Sequence, residues 1–227
     1  MPAPEDRTRW SARLWGGIEP AYAAILAHPF LTGLTDGSLD PVAFRHYVIQ
    51  DVHYLRGYAR ALALVGARAP ENTDTAMFAR HAAGVVEIEL ALHATLLADL
   101  GLDPADIVTT PVAPTTLAYT SYLLATAYGG SFAEGLAAVL PCYWIYAEVG
   151  QTLEAQGSPD PRYQRWIDTY GGEEFAAVVA EVIALADRIG PSLGAEEERR
   201  AAAHFALTAR YEWMFWDAAY QLEGWPL

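Results

Sequence analysis

The feature that most constrains the fold of this chain is a series of long segments rich in alanine and leucine, each bounded by proline or glycine. Several boundaries carry helix-start signals. Asp40 precedes Pro41 as an N-cap, and Ser131 and Glu134 have the spacing of a capping box. Runs that alternate apolar and polar residues, which would indicate strands, are weak. The pattern therefore predicts an all-α protein, a bundle of about seven helices.

The predicted helices account for most of the chain after residue 40. Their expected ranges are 41–68, 75–100, 114–129, 131–155, 162–169, 173–189 and 195–222. Many of them are longer than the average globular helix, which favours a bundle over a solenoid. Because no linker rich in proline, glycine and serine separates two halves, we expect one domain over residues 1–227.

Composition and charge exclude several classes of function. The net charge of −14 disfavours nucleic acid and membranes as partners, because an acidic surface is repelled by both. The chain has no lysine, so it cannot form a Schiff base with pyridoxal phosphate or supply the lysine of a P-loop. Its single cysteine, Cys142, excludes an internal disulfide and a metal site with several cysteine ligands.

The apolar segments also predict where the protein is located. Residues 1–10 carry charged side chains and lack the apolar stretch of a signal peptide. The longest strongly apolar run, residues 136–147, is too short to span a bilayer and contains Pro141. We therefore expect a cytoplasmic protein.

Cys142 lies in the most unusual segment of the chain, residues 140–148, with the sequence LPCYWIYAE. Pro141 falls well inside a predicted helix, where its ring and missing N–H should kink the helix and present Cys142 at the break. Tyr146, four residues further on, shares a helical face with the cysteine. From the residues alone two interpretations stay open, a reactive thiol or a small buried apolar side chain.

Two acidic residues fall on helical stripes that are otherwise aromatic or aliphatic. Asp51 shares a stripe with Tyr54, and Glu212 precedes Phe215 and Trp216 by three and four residues. Burial would raise the pKa of such a carboxyl toward neutrality, which suits a general acid. The alternatives are a structural, hydrogen-bonded acid at Asp51 and a surface glutamate at Glu212.

One predicted helix carries glutamate and histidine side chains of the kind that ligate metals. Glu89 and His93 are four residues apart, and His81 lies on the same predicted helix. A di-iron site in a helical bundle needs Glu-x-x-His pairs on two helices, whereas this chain offers one pair with the spacing Glu-x-x-x-His. We therefore predict no metal and no other cofactor, and we keep a di-metal oxidase as an alternative function.

Several segments taken together resemble the TenA (thiaminase II) family of aminopyrimidine hydrolases. In chain order they are HPFLTGLTDGSL, YVIQDVHYL, YTSYLL, PCYWIYAEVG, YQRWIDTYGGEEF and YEWMFWDAAYQLEGW. The resemblance extends from His28 to Trp225. It implies a haem-oxygenase-like helical bundle without haem, a homotetramer, and a small-molecule partner that is either a pyrimidine or thiamin.

The resemblance also implies roles for the candidate residues. Cys142 matches the nucleophile of the family, Glu212 its catalytic acid, and Asp51 the carboxylate that holds the amino group and a ring nitrogen of the pyrimidine. The pocket tyrosines of the family, which stack on the ring or hydrogen-bond the catalytic groups, match Tyr54, Tyr119, Tyr146 and Tyr170.

The implied reaction is hydrolysis of 4-amino-5-aminomethyl-2-methylpyrimidine to the 5-hydroxymethyl compound and ammonia, a step of thiamin salvage. Glu212 would protonate a ring nitrogen while Cys142 adds to the ring. The amine would then leave the 5-methylene, water would replace it, and the thiol would depart. We expect thiamin itself to be cleaved more slowly. A non-catalytic pyrimidine-binding or regulatory protein of the same fold is the alternative, and it would need neither Cys142 nor Glu212.

Overall fold

The computed structural model describes residues 8–99, 101, 107 and 109–226, without the side chains of residues 88–99. Within this part of the chain all regular structure is helical and no strand is present, which confirms the all-α prediction. None of the described helices is long and apolar enough to cross a membrane.

The α-helices follow one another with short connections. In chain order they are α1 (Trp10–Gly16), α2 (Glu19–Leu26), α3 (Pro29–Asp36), α4 (Pro41–Ala67), α5 (Asn72–Asp99), α6 (Pro114–Gly129), α7 (Phe132–Glu154), α8 (Pro161–Gly171), α9 (Glu173–Ile189) and α10 (Ala195–Tyr220). A single 3-10 turn, Gly190–Ser192, separates α9 from α10.

Helices α4 to α10 correspond to the seven predicted helices, with boundaries that differ by at most three residues, as at Asn72. The predicted end of α5, Leu100, lies outside the described residues. The expected number of helices was too low because α1, α2 and α3, all before residue 40, were not predicted. Each of these is only 7 or 8 residues long, too short for a clear periodic pattern.

The predicted helix-start signals act as expected. The Asp40 side chain accepts a hydrogen bond from the Val42 N–H at 2.8 Å. At α7 the Ser131 side chain accepts from the Glu134 N–H, and the Glu134 carboxylate accepts from the Ser131 N–H at 2.6 Å, which completes the capping box. These bonds satisfy backbone donors that have no partner inside the helix, and so they fix where α4 and α7 begin.

Helix α7 lies at the centre of the bundle and packs on α4, α6, α8, α9 and α10. Its residues 133–141 are all buried, and the buried apolar side chains form one cluster to which each of α1 to α10 contributes. Burial of one large apolar side chain contributes about 1.5–3 kcal/mol, so packing dominates the stability of this helix. A single core is consistent with one domain over residues 1–227, which stays a prediction.

The predicted break at Pro141 is not present. Helix α7 continues through Pro141 to Glu154, and Cys142 lies within an unbroken helix. Proline removes one backbone donor, but the neighbouring helices enclose this part of α7 on all sides. Packing therefore keeps the helical backbone where local propensity would end it.

Gly150 allows α7 to approach the end of α8 very closely. A β-carbon on Gly150 would lie 2.4 Å from the backbone carbonyl carbon of Tyr170 and 2.6 Å from the backbone nitrogen of Gly171. These are backbone atoms, so no side chain can move aside to make room. Glycine at this position therefore determines where the ring of Tyr170 is held.

We expect Gly150→Ala to lower the free energy of unfolding by about 1–3 kcal/mol, because overpacking forces the two backbones apart. Gly84→Ala in α5 is the matched control. A β-carbon there meets nothing within 4 Å, so this change should stabilise the protein by about 0.5–1 kcal/mol. Urea unfolding of both variants measures the effect, and equal stabilities would contradict the proposed backbone contact.

Candidate active site

The structure brings the predicted site residues together from five helices. They are Asp51 and Tyr54 on α4, Tyr119 on α6, Cys142 and Tyr146 on α7, Tyr170 on α8, and Glu212 on α10. The rings of Tyr54 and Tyr119 have centroids 4.9 Å apart, as do those of Tyr146 and Tyr170. Burial raises the pKa of Tyr170 well above its usual value. The charges of Asp51 and Cys142 add to this rise because both groups lie near the ring.

Glu212 is the most deeply buried acid of the site, with 1% of its surface exposed. The Tyr119 hydroxyl donates a hydrogen bond of 2.5 Å to its Oε1 atom. Burial raises the pKa of Glu212 to about 8, the Tyr119 hydrogen bond opposes this rise, and the charge of Asp51 adds to it. At neutral pH the carboxyl is therefore mostly protonated and can act as an acid. The alternative of a surface glutamate is wrong.

The Cys142 side chain is enclosed but keeps some accessible surface, unlike its buried neighbours Pro141 and Tyr143. Burial raises the pKa of the thiol well above its usual value, Glu212 adds to the rise, and the hydroxyl of Tyr54 opposes it. A thiol in this environment needs a nearby base to become a thiolate.

Asp51 is 9% exposed and lies beside the other catalytic candidates. Its charge raises the pKa values of Glu212, Cys142 and Tyr146, although burial is the larger cause for each of the three. A buried carboxylate must find hydrogen-bond donors or take up a proton. The two oxygens of a carboxylate can accept several hydrogen bonds, so Asp51 can also accept from a ligand that presents N–H groups.

Aromatic rings form two walls around these polar groups. Next to Tyr54 lie Tyr119 and the ring of Phe215, whose centroid is 5.5 Å from that of Tyr54. In the second group, Tyr146 packs on Tyr170 and on Trp216, the latter at 5.2 Å. Flat aromatic ligands gain offset-stacking energy between such rings. The site therefore suits a flat heterocycle with polar edges.

The C-terminal segment positions α6, which carries Tyr119. The Glu223 carboxylate accepts hydrogen bonds from the Thr115 backbone N–H at 2.9 Å and from its hydroxyl at 3.0 Å. Nearby, the indole N–H of Trp225 donates to the Val112 carbonyl at 2.9 Å. Glu223 thus satisfies a free donor in the first turn of α6, one turn before Tyr119.

Three further tyrosines around the site were not predicted as site residues. Tyr58 lies 5.5 Å from Tyr54, Tyr211 stacks on Tyr119 at 5.0 Å, and Tyr143 has its ring 5.7 Å from that of Tyr58. Helical spacing could have found Tyr58, four residues after Tyr54 on the same stripe. Tyr143 and Tyr211 each adjoin a catalytic candidate in sequence, but neighbouring residues on a helix point in different directions, so spacing gives no signal for them.

The metal hypothesis finds no support in the described part of the chain, where no group of three or more His, Cys, Asp and Glu side chains could hold an ion. The side chains of Glu89 and His93 lie outside the described residues. His81 is described, and its Nδ1 atom lies 3.0 Å from the hydroxyl of Tyr143.

The burial of Glu212 predicts how the stability of the protein depends on pH. Because the folded pKa is about 8 and the ordinary value is 4.5, the folded state keeps a proton that the unfolded chain releases between these values. Stability should therefore fall as pH rises from 5 to 8, by up to about 1.4 kcal/mol per pH unit from this group alone.

The Glu212→Gln variant lacks this contribution, so the stability difference between wild type and variant should change across that range. Urea unfolding at pH 5.5, 6.5 and 7.5 measures it, with exposed Glu154→Gln as the control. A wild-type minus variant difference that does not change with pH would show that Glu212 is ionised in the folded protein.

The sequence and the fold are similar to those of known proteins. The chain is 38% identical to an aminopyrimidine aminohydrolase of Bacillus subtilis, over 87% of this chain and 84% of that protein. Among solved structures, a TenA homologue from P. horikoshii OT3 has a TM-score of 0.87 and 31% identity, and the match covers 94% of this chain and 99% of that one.

The fold also matches a Shewanella denitrificans domain of unknown function that has a heme oxygenase-like fold. Its TM-score is 0.73 at 18% identity, with 92% of this chain and 91% of that chain covered. The expected haem-oxygenase-like bundle is thereby confirmed. Residues 15–222 match the TENA/THI-4/PQQC family. With this match and the identity to the Bacillus protein, the chain belongs to the TENA/THI-4/PQQC family.

Proposed function

We propose that this protein is a hydrolase that converts 4-amino-5-aminomethyl-2-methylpyrimidine into the 5-hydroxymethyl compound and ammonia, a step of thiamin salvage. The observation that carries the proposal is the meeting of the only thiol, Cys142, with the protonated carboxyl of Glu212 inside an aromatic pocket. The relationship to the aminopyrimidine aminohydrolase supports the same reaction. A non-catalytic binding protein would need neither group.

In the proposed reaction, binding begins with the flat ring between the aromatic walls. Asp51 binds the edge of the ring that carries the amino group and the adjacent ring nitrogen, which fixes the edge of the ring that faces Cys142. Glu212 faces the other ring nitrogen. Tyr54, Tyr119, Tyr146 and Tyr170 surround the ring. Because these groups are held on five packed helices, they need little rearrangement when the ligand binds.

Glu212 and Cys142 then act together on the ring. The carboxyl donates its proton to a ring nitrogen, and the sulfur adds to a ring carbon that this proton has made electrophilic. Electrons from the adduct expel the protonated amine of the 5-methylene as ammonia. The oxygen of water bonds to the resulting exocyclic methylene and its released proton passes to ammonia. The sulfur then departs, and the ring nitrogen returns its proton to Glu212.

The compact aminomethyl pyrimidine should react faster than thiamin. The aromatic side chains of Tyr54, Tyr119 and Tyr146 are buried, and an enclosed aromatic site favours a compact ligand over the bulkier thiamin. The oligomeric state and the location are part of the proposal too. The homotetramer implied by the family resemblance can be tested by light scattering, and the cytoplasmic location stays a prediction.

Replacing the thiol tests the function directly. We expect wild-type protein to release ammonia and the hydroxymethyl pyrimidine, and Cys142→Ser to lose turnover by orders of magnitude, since an alcohol is a far weaker nucleophile than a thiolate. Ammonia release and chromatography of the product give kcat/KM, with thiamin as the second substrate. Melting temperature and pyrimidine binding of the variant are the controls and should stay near wild type.

Two results would contradict this account. Undiminished turnover in Cys142→Ser would eliminate covalent catalysis. Wild-type protein that binds the pyrimidine but turns over neither substrate would favour the non-catalytic binding protein.

The role of Asp51 is tested by affinity. Asp51→Asn should weaken binding of the hydroxymethyl pyrimidine by about 1.5–3 kcal/mol, because a hydrogen bond to a charged acceptor is lost. Calorimetry in the Cys142→Ser background avoids turnover, and Asp36→Asn, on the exposed surface, is the control. Equal affinities of the Asp51 and Asp36 variants would assign Asp51 a purely structural role.

A further inference from the structure

A chain of polar side chains leads from the neighbourhood of Cys142 to the surface. Tyr143, the next residue on α7, is 4% exposed, and its hydroxyl lies 3.0 Å from Nδ1 of His81 on α5. On the other side of the imidazole, Nε2 lies 3.5 Å from the Glu181 carboxylate on α9. Glu181 is about half exposed, at 51%, so this end of the chain reaches solvent.

The inner end of this chain adjoins the thiol. The Tyr143 ring packs on Tyr58 at 5.7 Å, and the Tyr58 hydroxyl donates at 2.9 Å to the carbonyl of Val139, three residues before Cys142. In the resting protein this hydroxyl donates to the carbonyl, and its oxygen keeps lone pairs that can accept a proton from the thiol. Burial is the largest cause that raises the pKa values of Tyr58 and Tyr143. The charge of Cys142 is the second, as expected for groups that lie close together.

The outer end borders a cavity of about 710 Å³ between α5, α8 and α9. Its lining includes His81, Tyr143 and Glu181 together with Tyr170, a wall of the proposed pyrimidine pocket. Through these side chains the cavity shares walls with the buried catalytic groups. It is therefore a place where a proton that leaves the core can reach water.

The proposed reaction needs such a path. Glu212 exchanges its proton with the ring nitrogen and Asp51 holds the ring, so a separate acceptor for the Cys142 proton keeps Glu212 available to the ring. We propose that His81 is a positioning residue that acts through Tyr143: it holds the Cys142 proton while the carbon–sulfur bond exists, and it returns that proton when the thiol departs. This inference rests on the hydrolase function proposed above.

The protons of this step balance. As the carbon–sulfur bond forms, the thiol proton passes to the Tyr58 oxygen and the proton of Tyr58 passes to the Tyr143 oxygen. The Tyr143 hydroxyl proton then passes to Nδ1 of His81. The resulting imidazolium is stabilised by Glu181 on its other side. When the carbon–sulfur bond breaks, the same transfers run backward and restore the thiol and the neutral imidazole.

His81 has the properties that this role requires. Burial lowers its pKa below the usual value of 6.5, Glu181 opposes this change, and Arg80 on the same helix adds to it. The charged and titratable groups around it are thus Arg80, Tyr143 and Glu181, with Tyr58 of α4 behind Tyr143. The imidazole is neutral at pH 7 and free to accept a proton.

The test compares His81→Asn and Tyr143→Phe with wild type. Both variants should fold, keep KM near wild type and lose about 100-fold in kcat at pH 7, the lower range for a lost general base. The wild-type kcat should fall at acid pH, below the usual pKa of histidine, as His81 takes up a proton. This acid limb should be absent in His81→Asn.

The matched control is His204→Asn. His204 also pairs its Nδ1 atom with a tyrosine hydroxyl, that of Tyr122 at 2.6 Å, and burial lowers its pKa too. It lies on α10 and is not part of the path to Cys142. This variant should keep the wild-type kcat and the wild-type acid limb.

A second measurement does not depend on the enzyme activity. Cys142 is the only cysteine, so the rate of its alkylation by iodoacetamide as a function of pH reports this thiol alone. The rate at pH 7 should be lower in His81→Asn and Tyr143→Phe than in wild type and in the control. If wild type does not hydrolyse the pyrimidine, the proposed function fails while alkylation still tests the coupling.

The inference is overturned by any of three results. These are a wild-type kcat profile without an acid limb, an acid limb that persists in His81→Asn, and alkylation rates that are equal in all four proteins. If His81→Asn fails to fold, Tyr143→Phe and the wild-type profile still decide the question.

Discussion

The burial of Glu212 is the interaction on which the rest of this structure depends. A buried carboxyl group destabilises a helical core unless it is protonated or hydrogen-bonded. Glu212 is both: burial raises its pKa to about 8, and the Tyr119 hydroxyl donates to it at 2.5 Å. Asp51 shares the same enclosed space and raises the pKa values of both Glu212 and Cys142, and Glu212 in turn raises the pKa of Cys142. The site is therefore arranged to hold protons at neutral pH.

A packed bundle is what keeps these groups enclosed. Helix α7 is surrounded by its neighbours so completely that it continues through Pro141, and Gly150 brings the end of α8 against it. The aromatic walls belong to the same apolar core, so the side chains that stabilise the fold also exclude water from the thiol. Stability and reactivity are thus linked, because loosening the core would let Glu212 ionise.

Local signals predicted much of this fold, and contacts between distant segments account for the rest. Caps such as Asp40 and Ser131 marked where α4 and α7 begin, and an acid on an aromatic stripe, together with the family resemblance, identified Glu212. The partner of Glu212 lies 93 residues away in sequence, and His81 meets Tyr143 across 62 residues. Helical spacing relates only side chains on one helix, so it could not reveal these pairs. It likewise could not foresee that tertiary packing keeps α7 continuous.

The most direct measurement of the central claim is the titration of Glu212 itself. Carbon-detected NMR of protein labelled at the glutamate carboxyl carbons, compared with the same spectra of Glu212→Gln, assigns the resonance by its absence from the variant. Its chemical shift is then followed between pH 4 and pH 9 without substrate. A midpoint of about 8 is the predicted result, whereas a midpoint near the ordinary value of 4.5 would contradict the account, because Glu212 would then be ionised at neutral pH.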